Sequence, residues 1–307
     1  MIRTEGLTRV FDGHTAVEGL NLEVREGEVF GFLGPNGAGK TTTMRMLACL
    51  IAPTQGTAWV NGHSIATEPD AVRASVGILT ESPGLYDRLS AERNLDVFAR
   101  LYGLSEERRK TQIKRYLQLL DLWDQRDRPV GGFSKGMRQK LALVRALLHE
   151  PPVVFLDEPT AALDPQAAKT VRDFIAELSR EGRTIFLCTH NLHEAERLCD
   201  RIAVLRTRLI ALDTPENLRR RLFGRRTVVR VRNLAPEMVS AVRALPFVHG
   251  LEAGDGQLTV DLADPEAENP QLVARLVGLG AEVQYVTELR HSLEEVYLSL
   301  IEEEKTA

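Results

Sequence analysis

The sequence predicts an α/β fold on a parallel central sheet, with antiparallel strands at its start, a helical insertion within it and a small α+β domain after it. Three observations carry that reading. Val153–Leu156, Ile185–Cys188 and Ile202–Leu205 are short, wholly apolar runs, each after a helical segment. A central strand buried on both faces by crossover helices needs such a run. Residues 91–122 hold two charged, periodic helices broken at Gly103-Leu104-Ser105, which read as an insertion. Beyond Leu222-Phe223-Gly224-Arg225-Arg226 the order of elements changes, and this marks a boundary.

Taken in order, residues 1–33 read as short strands, including Leu20–Val24 and Val29–Leu33, with turns at Asp12-Gly13 and Glu26-Gly27. From Lys40, the apolar positions Met44, Leu47 and Leu50–Ile51 fall at helical spacing until Pro53 stops the pattern. A third helix of the insertion follows Ser134, so the helical subdomain spans about 85–148. The strand Val153–Leu156 lies between Pro152 and Asp157. The terminal segment then reads as strand Thr227–Val231, helix 236–245, strand 247–252 and strand Leu258–Leu262. Helix 270–279, strand 282–287 and a last helix from Ser292 complete it. That is a βαββαβ order plus a helix, the ferredoxin-like arrangement. The expected domains are 1–223 and 225–307.

A chain of 307 residues has room for about two domains. Its 43% hydrophobic and 27% charged residues are an ordinary globular balance. A net charge of -4 argues against a nucleic-acid partner, which usually brings a strongly basic domain. Cys49, Cys188 and Cys199 share no metal-ligand spacing and read as small buried hydrophobes of a reducing compartment. No apolar stretch approaches the ~20 residues that cross a bilayer. The start, MIRTEGLTRVF, lacks the apolar core of a signal peptide. A cytoplasmic chain is expected, and work at a membrane would need a partner.

Two motifs carry chemistry. Gly34-Pro35-Asn36-Gly37-Ala38-Gly39-Lys40-Thr41 follows an apolar strand and opens a helix, the setting a P-loop requires. Its glycines let backbone N–H groups converge on phosphate oxygens, and the helix N-terminus adds positive partial charge. Lys40 supplies a charge to the β- and γ-phosphates, and the Thr41 hydroxyl is a magnesium ligand. Val153-Val154-Phe155-Leu156-Asp157-Glu158 is the second half of the nucleotide site. Four apolar residues bury the strand, so Asp157 emerges at its C-terminal end, where ligands bind in open α/β sheets. Asp157 can hold magnesium there, and Glu158 can accept a proton from attacking water.

With these placed, further pieces fall in the order of ABC ATPases, which the sequence resembles over residues 1–223. The resemblance implies a P-loop NTPase with a RecA-like core. Phe133-Ser134-Lys135-Gly136-Met137-Arg138-Gln139 stands at the family signature. Ser134 suits an N-cap, whose helix offers a second anion site. By resemblance, Ser134 and Gly136 close on the γ-phosphate held by the other subunit of a dimer. Ala161-Ala162-Leu163-Asp164 matches the D-loop, His190 the switch histidine, Phe11 the aromatic that stacks on adenine, and Thr42 extends the phosphate loop. Lys135 and Met137 depart from the signature, and Glu81 stands where the family has its Q-loop glutamine. A carboxylate there can approach magnesium through water, but it cannot donate hydrogen bonds as an amide does.

Within the family the chain is similar to drug- and antibiotic-exporter ATPases of the daunorubicin-resistance type, a likeness shared by its tail Ser292-Leu293-Glu294-Glu295-Val296-Tyr297-Leu298. That implies ATP and Mg2+ as cofactors and a dimer, either of identical chains or with a related ATPase. It also implies a separate ABC-2-type permease docking near residues 81–103, and a site on the inner face of the cell membrane. The rival is a soluble ABC ATPase of DNA repair, translation or cluster assembly. A long coiled-coil insertion would mark the first and two cassettes the second, and this sequence has neither.

Overall fold

Asp12 and Gly13 both take positive φ, 43° and 83°, the type I′ geometry that matches the twist of a hairpin. They join β1 (Ile2–Phe11) to β2 (His14–Val24) and set Phe11 opposite His14. Both strands are longer than the short strands expected. Register shifts after Thr4, Leu7 and Arg9 reset the alternation by which a strand is read from sequence.

β3 (Val29–Leu33) is buried throughout. α1 (Lys40–Leu47) follows it and stops before the expected Leu50–Ile51. Cys49 takes a left-handed φ of 55°, and the Leu50 and Cys49 N–H groups donate to Arg45 O and Met46 O. This Schellman closure ends the helix before Pro53 is reached. β4 (Gln55–Val60) and β5 (His63–Ser64) complete an antiparallel sheet in the order β2-β1-β4-β5. α2 (Pro69–Ser75) then leads into β6 (Val76–Leu79).

The insertion contributes α3 (Ala91–Leu101), α4 (Glu106–Leu119) and α5 (Lys135–Leu147), capped by Ser90, Ser105 and Ser134 respectively. Next come β7 (Val153–Asp157), α6 (Pro165–Arg180), β8 (Thr184–Thr189), α7 (Leu192–Leu198), β9 (Arg201–Arg206) and β10 (Arg208–Asp213). The main sheet has the order β10-β9-β3-β8-β7-β6, parallel except for its edge strand β10. Phe186 of β8 sits at its centre, 5.0 to 5.6 Å from the rings of Phe30, Phe32 and Phe155. These rings pack β3, β7 and β8 together, and the C-terminal ends of the three strands carry the candidate site.

The computed structural model describes residues 1–82, 84–289 and 291–306, in two compact units, Met1–Thr214 and Pro215–Ala307. Pro83, inside the expected docking stretch 81–103, lies outside the described residues, as do Arg290 and Ala307. The expected break at Gly224 falls inside the second unit. α8 (Pro215–Phe223) belongs there because it packs on α11 (Leu293–Thr306), and Phe223 stacks on His291 at 4.0 Å. Between them lie β11 (Arg225–Val231), α9 (Pro236–Arg243), β12 (Val248–Gly254), β13 (Gln257–Leu262), α10 (Pro265–Gly278) and β14 (Val283–Leu289).

The antiparallel sheet β12-β13-β11-β14 buries Val229, Leu258, Val260, Leu272 and Leu276 in a core of its own. This is the expected βαββαβ order plus a helix. α10 starts five residues before the expected 270. Pro265 takes its first turn, and Glu268 accepts the Asp264 N–H, so Pro270 falls inside the helix instead of opening it.

A candidate nucleotide site

The loop between β3 and α1 is held by its neighbours. Gly39, at φ 99°, caps α1 with no side chain, and a Cβ there would stand 2.4 Å from the Ala16 carbonyl oxygen. A Cβ at Gly34 would meet the Leu205 carbonyl oxygen at 2.4 Å. Larger residues would push the loop off the sheet. Lys40 is buried and lies across this loop, its Nζ donating to Gly34 O at 2.7 Å and Pro35 O at 3.2 Å. An ammonium has three donors, so the same geometry has capacity for an anion.

Asp157 ends β7 and is 2% exposed. The Thr41 hydroxyl donates to its Oδ2 at 2.8 Å. Burial pushes the Asp157 carboxyl above the usual aspartate range. The Thr41 hydrogen bond opposes that rise, Glu158 adds to it, Lys40 opposes it and Glu81 adds a little more. A hydroxyl beside a buried carboxylate, with further acidic oxygens near, suits a hard cation such as Mg2+. Among the described residues no cluster of three or more His, Cys, Asp or Glu could form a cage by itself. Magnesium is commonly bound by one or two protein ligands plus water and substrate phosphates, so the residues present fit it.

Glu158 follows at a left-handed φ of 49°. Its Oε1 lies 2.7 Å from His190 Nδ1, and its Oε2 accepts from the Thr189 hydroxyl at 3.3 Å. One cleft of about 500 Å3 is lined by Phe11, Asn36 to Thr42, Glu81, Asp157, Glu158 and His190. Phe11 is 38% exposed, with the Arg9 guanidinium 4.3 Å from its ring centroid. His14 and Ala16 also line the cleft and were not expected from sequence, and so does Ala161, the first residue of the D-loop match. The Asp12-Gly13 hairpin could have pointed to His14, because it pairs that residue with Phe11.

Ser134, Gly136 and Asp164 are not brought to this cleft. They line a second one of about 540 Å3, where α5 and α6 begin. The Ser134 hydroxyl accepts from Met137 N at 3.2 Å, and Asp164 Oδ1 accepts from Gln166 N and Ala167 N. A Cβ at Gly136 would meet Ala167 Cβ at 3.2 Å, while the substituted Lys135 is exposed. The phosphate-loop residues and the signature residues thus line two separate clefts.

Residues 17–161 match the ABC transporter family, ABC_tran. The chain is 37% identical over 305 residues to the daunorubicin/doxorubicin resistance ATP-binding protein DrrA of Streptomyces peucetius, covering 97% of this chain and 92% of that one. This chain belongs to the ABC transporter family. The ABC chain is also 44% identical over 191 residues to the ATP-binding protein NatA of Bacillus subtilis (strain 168), spanning 62% of this chain and 78% of NatA. It is 36% identical to the Nod factor export ATP-binding protein I of Rhizobium sp. (strain N33), covering 96% of this chain and 95% of that one. Among solved structures, an ATP-binding subunit of an ABC transporter superimposes with a TM-score of 0.68 at 33% identity. It covers 73% of this chain and 94% of that one.

Proposed function

We propose that this ABC ATPase is the motor subunit of an exporter, working as a dimer on the inner face of the cell membrane through a separate ABC-2-type permease. The observation that carries the catalytic half is the convergence of Lys40, Thr41, Asp157, Glu158 and His190 on one cleft. The exporter half rests on full-length similarity to relatives named for drug resistance and for export.

In this reading adenine stacks on Phe11 and the phosphates lie on the amides of residues 36–42, where Lys40 balances their charge. Thr41 and Asp157 would hold Mg2+, with Glu81 approaching through water. When bound, the ion neutralises charge on the β- and γ-phosphate oxygens. Glu158 accepts the proton of the attacking water, and His190, paired to it at 2.7 Å, steadies the γ-phosphate side. Ser134, Gly136 and Asp164 of a second chain complete the cleft, which gives the cap at the start of α5 a ligand to meet.

Among the described residues no helix is long and apolar enough to cross a membrane. Co-expression with a candidate ABC-2-type permease tests the assignment. The chain should fractionate with membranes only when that permease is present, and pull-downs should recover it. Recovery of abundant soluble complexes with no integral membrane protein would favour the non-transport class instead.

A further inference from the structure

Thr189 closes β8 with its hydroxyl between two carboxylates. Oγ1 lies 3.3 Å from Glu158 Oε2 and 3.2 Å from Glu194 Oε2, and it accepts the Asn191 N–H at 3.0 Å. A hydroxyl has one proton and two acceptor lone pairs. It can donate to only one of the two carboxylates, and an ionised partner on its other side would face it lone pair to lone pair. The contacts close without conflict when one of the two carboxyls carries a proton.

Glu194 is placed to be that one. It is 1% exposed, and its Oε1 already accepts from the Thr160 hydroxyl at 2.8 Å, which leaves Oε2 for Thr189. Glu158, by contrast, has His190 on its other oxygen. Burial raises the Glu194 carboxyl above the usual glutamate range. The Thr160 and Thr189 hydroxyls and Arg172 of α6 oppose this, and Glu158 adds to it. Helix capping does not explain the residue. Glu194 is the third residue of α7, from which a glutamate ordinarily reaches back to the cap N–H. Here Thr189 takes that N–H, and the Glu194 side chain turns inward.

We propose that Glu194 is a positioning residue for hydrolysis: its carboxylic O–H donates a hydrogen bond to Thr189, which directs the Thr189 hydroxyl onto Glu158 and holds the base in its accepting orientation. The proton stays on Glu194 throughout, and no bond is made or broken. The proposal rests on Glu158 being the base, so Glu158→Gln is assayed beside the other variants.

Steady-state ATP hydrolysis by the full chain is measured for Glu194→Ala, Glu194→Gln, Thr189→Val and the Glu194→Ala/Thr189→Val pair. Removing either partner should lower kcat about tenfold, the scale of one hydrogen bond, with the KM for ATP little changed. The double variant should be no slower than the slower single, because both act through one hydroxyl. Glu194→Gln restores a donor without a charge, and its kcat should recover to at least about threefold above Glu194→Ala.

Several outcomes overturn the proposal: no such recovery, losses that multiply, losses confined to KM, or a Glu194→Ala enzyme as fast as the parent. Should Glu194→Ala not fold, Thr189→Val set against Glu194→Gln decides on the same terms. If Glu158→Gln retains turnover, the base assignment and this proposal fall together. If Glu158→Gln is inactive and the Glu194 pattern is absent, this proposal alone falls.

Discussion

Asp157 and Glu158 are consecutive residues in opposite circumstances. Asp157 is the last residue of a fully buried strand, whereas Glu158 turns out at φ 49°. Such a conformation costs of order 1–3 kcal/mol and persists where surroundings over-determine it. His190 and Thr189 do so here. The raised pKa of Asp157 has a definite sign in stability. The contribution of its neutral form is fully present below the ordinary aspartate value and is lost as pH rises through the higher folded value. Well above its folded value the ion-free protein therefore carries a buried charge that Asp157→Asn removes, while the amide oxygen can still accept from Thr41. The variant should melt a few degrees above the parent without nucleotide or Mg2+, at roughly 2–4 °C per kcal/mol for a domain of this size. The gap should close towards pH 4, and hydrolysis should be lost. A thermal melt across pH decides, and a gap that does not change with pH would contradict the burial argument.

At the level of elements, α5, whose start lines the cleft of Ser134 and Gly136, approaches β6 closely. A Cβ at Gly77 would stand 2.2 Å from the Ala146 carbonyl oxygen and 2.8 Å from Pro151 Cγ. A helix backbone cannot swing aside as a long side chain does, so α5 itself must move. Its first turn is the one capped by Ser134. Overpacking of this kind typically costs about 1–3 kcal/mol, and Gly77→Ala should lower the melting temperature accordingly. Gly254→Ala in β12, where nothing stands within 4 Å, is the comparison and should be close to neutral. Equal melting temperatures for the two variants would mean that the sheet absorbs the added methyl group.

The molecule as a whole has two units, each with a core of its own. Every residue assigned to phosphate or magnesium lies in Met1–Thr214. A chain ending at Thr214 should therefore bind ATP and melt cooperatively. One ending at Gly224 retains α8 but loses α11, on which α8 packs, and so uncovers the buried Leu218. The longer truncation should be the less soluble of the two, a result the domain boundary expected from sequence would not predict. Nucleotide titration and light scattering of both chains check this. Loss of ATP binding by a folded 1–214 chain would place part of the site in the second unit.

The phosphate loop and the Asp157-Glu158 pair are legible in the linear chain because their chemistry depends on local spacing. A loop must follow a buried strand and open a helix, and a carboxylate must end an apolar run. The pattern of β3, β7 and β8 is equally plain, since burial on both faces leaves only apolar residues. The long β1 and β2 are less so, because their register shifts break the period that sequence reading relies on. The allegiance of α8 and the start of α10 depended on competition between partners, α11 in one case and Glu268 in the other. Glu194 was the least visible of all. Its meaning lies in hydroxyls at Thr160, 34 residues away, and Thr189, across a helix cap. No periodicity encodes which oxygens will share one proton. Packing decides that, by removing the water that would otherwise satisfy them.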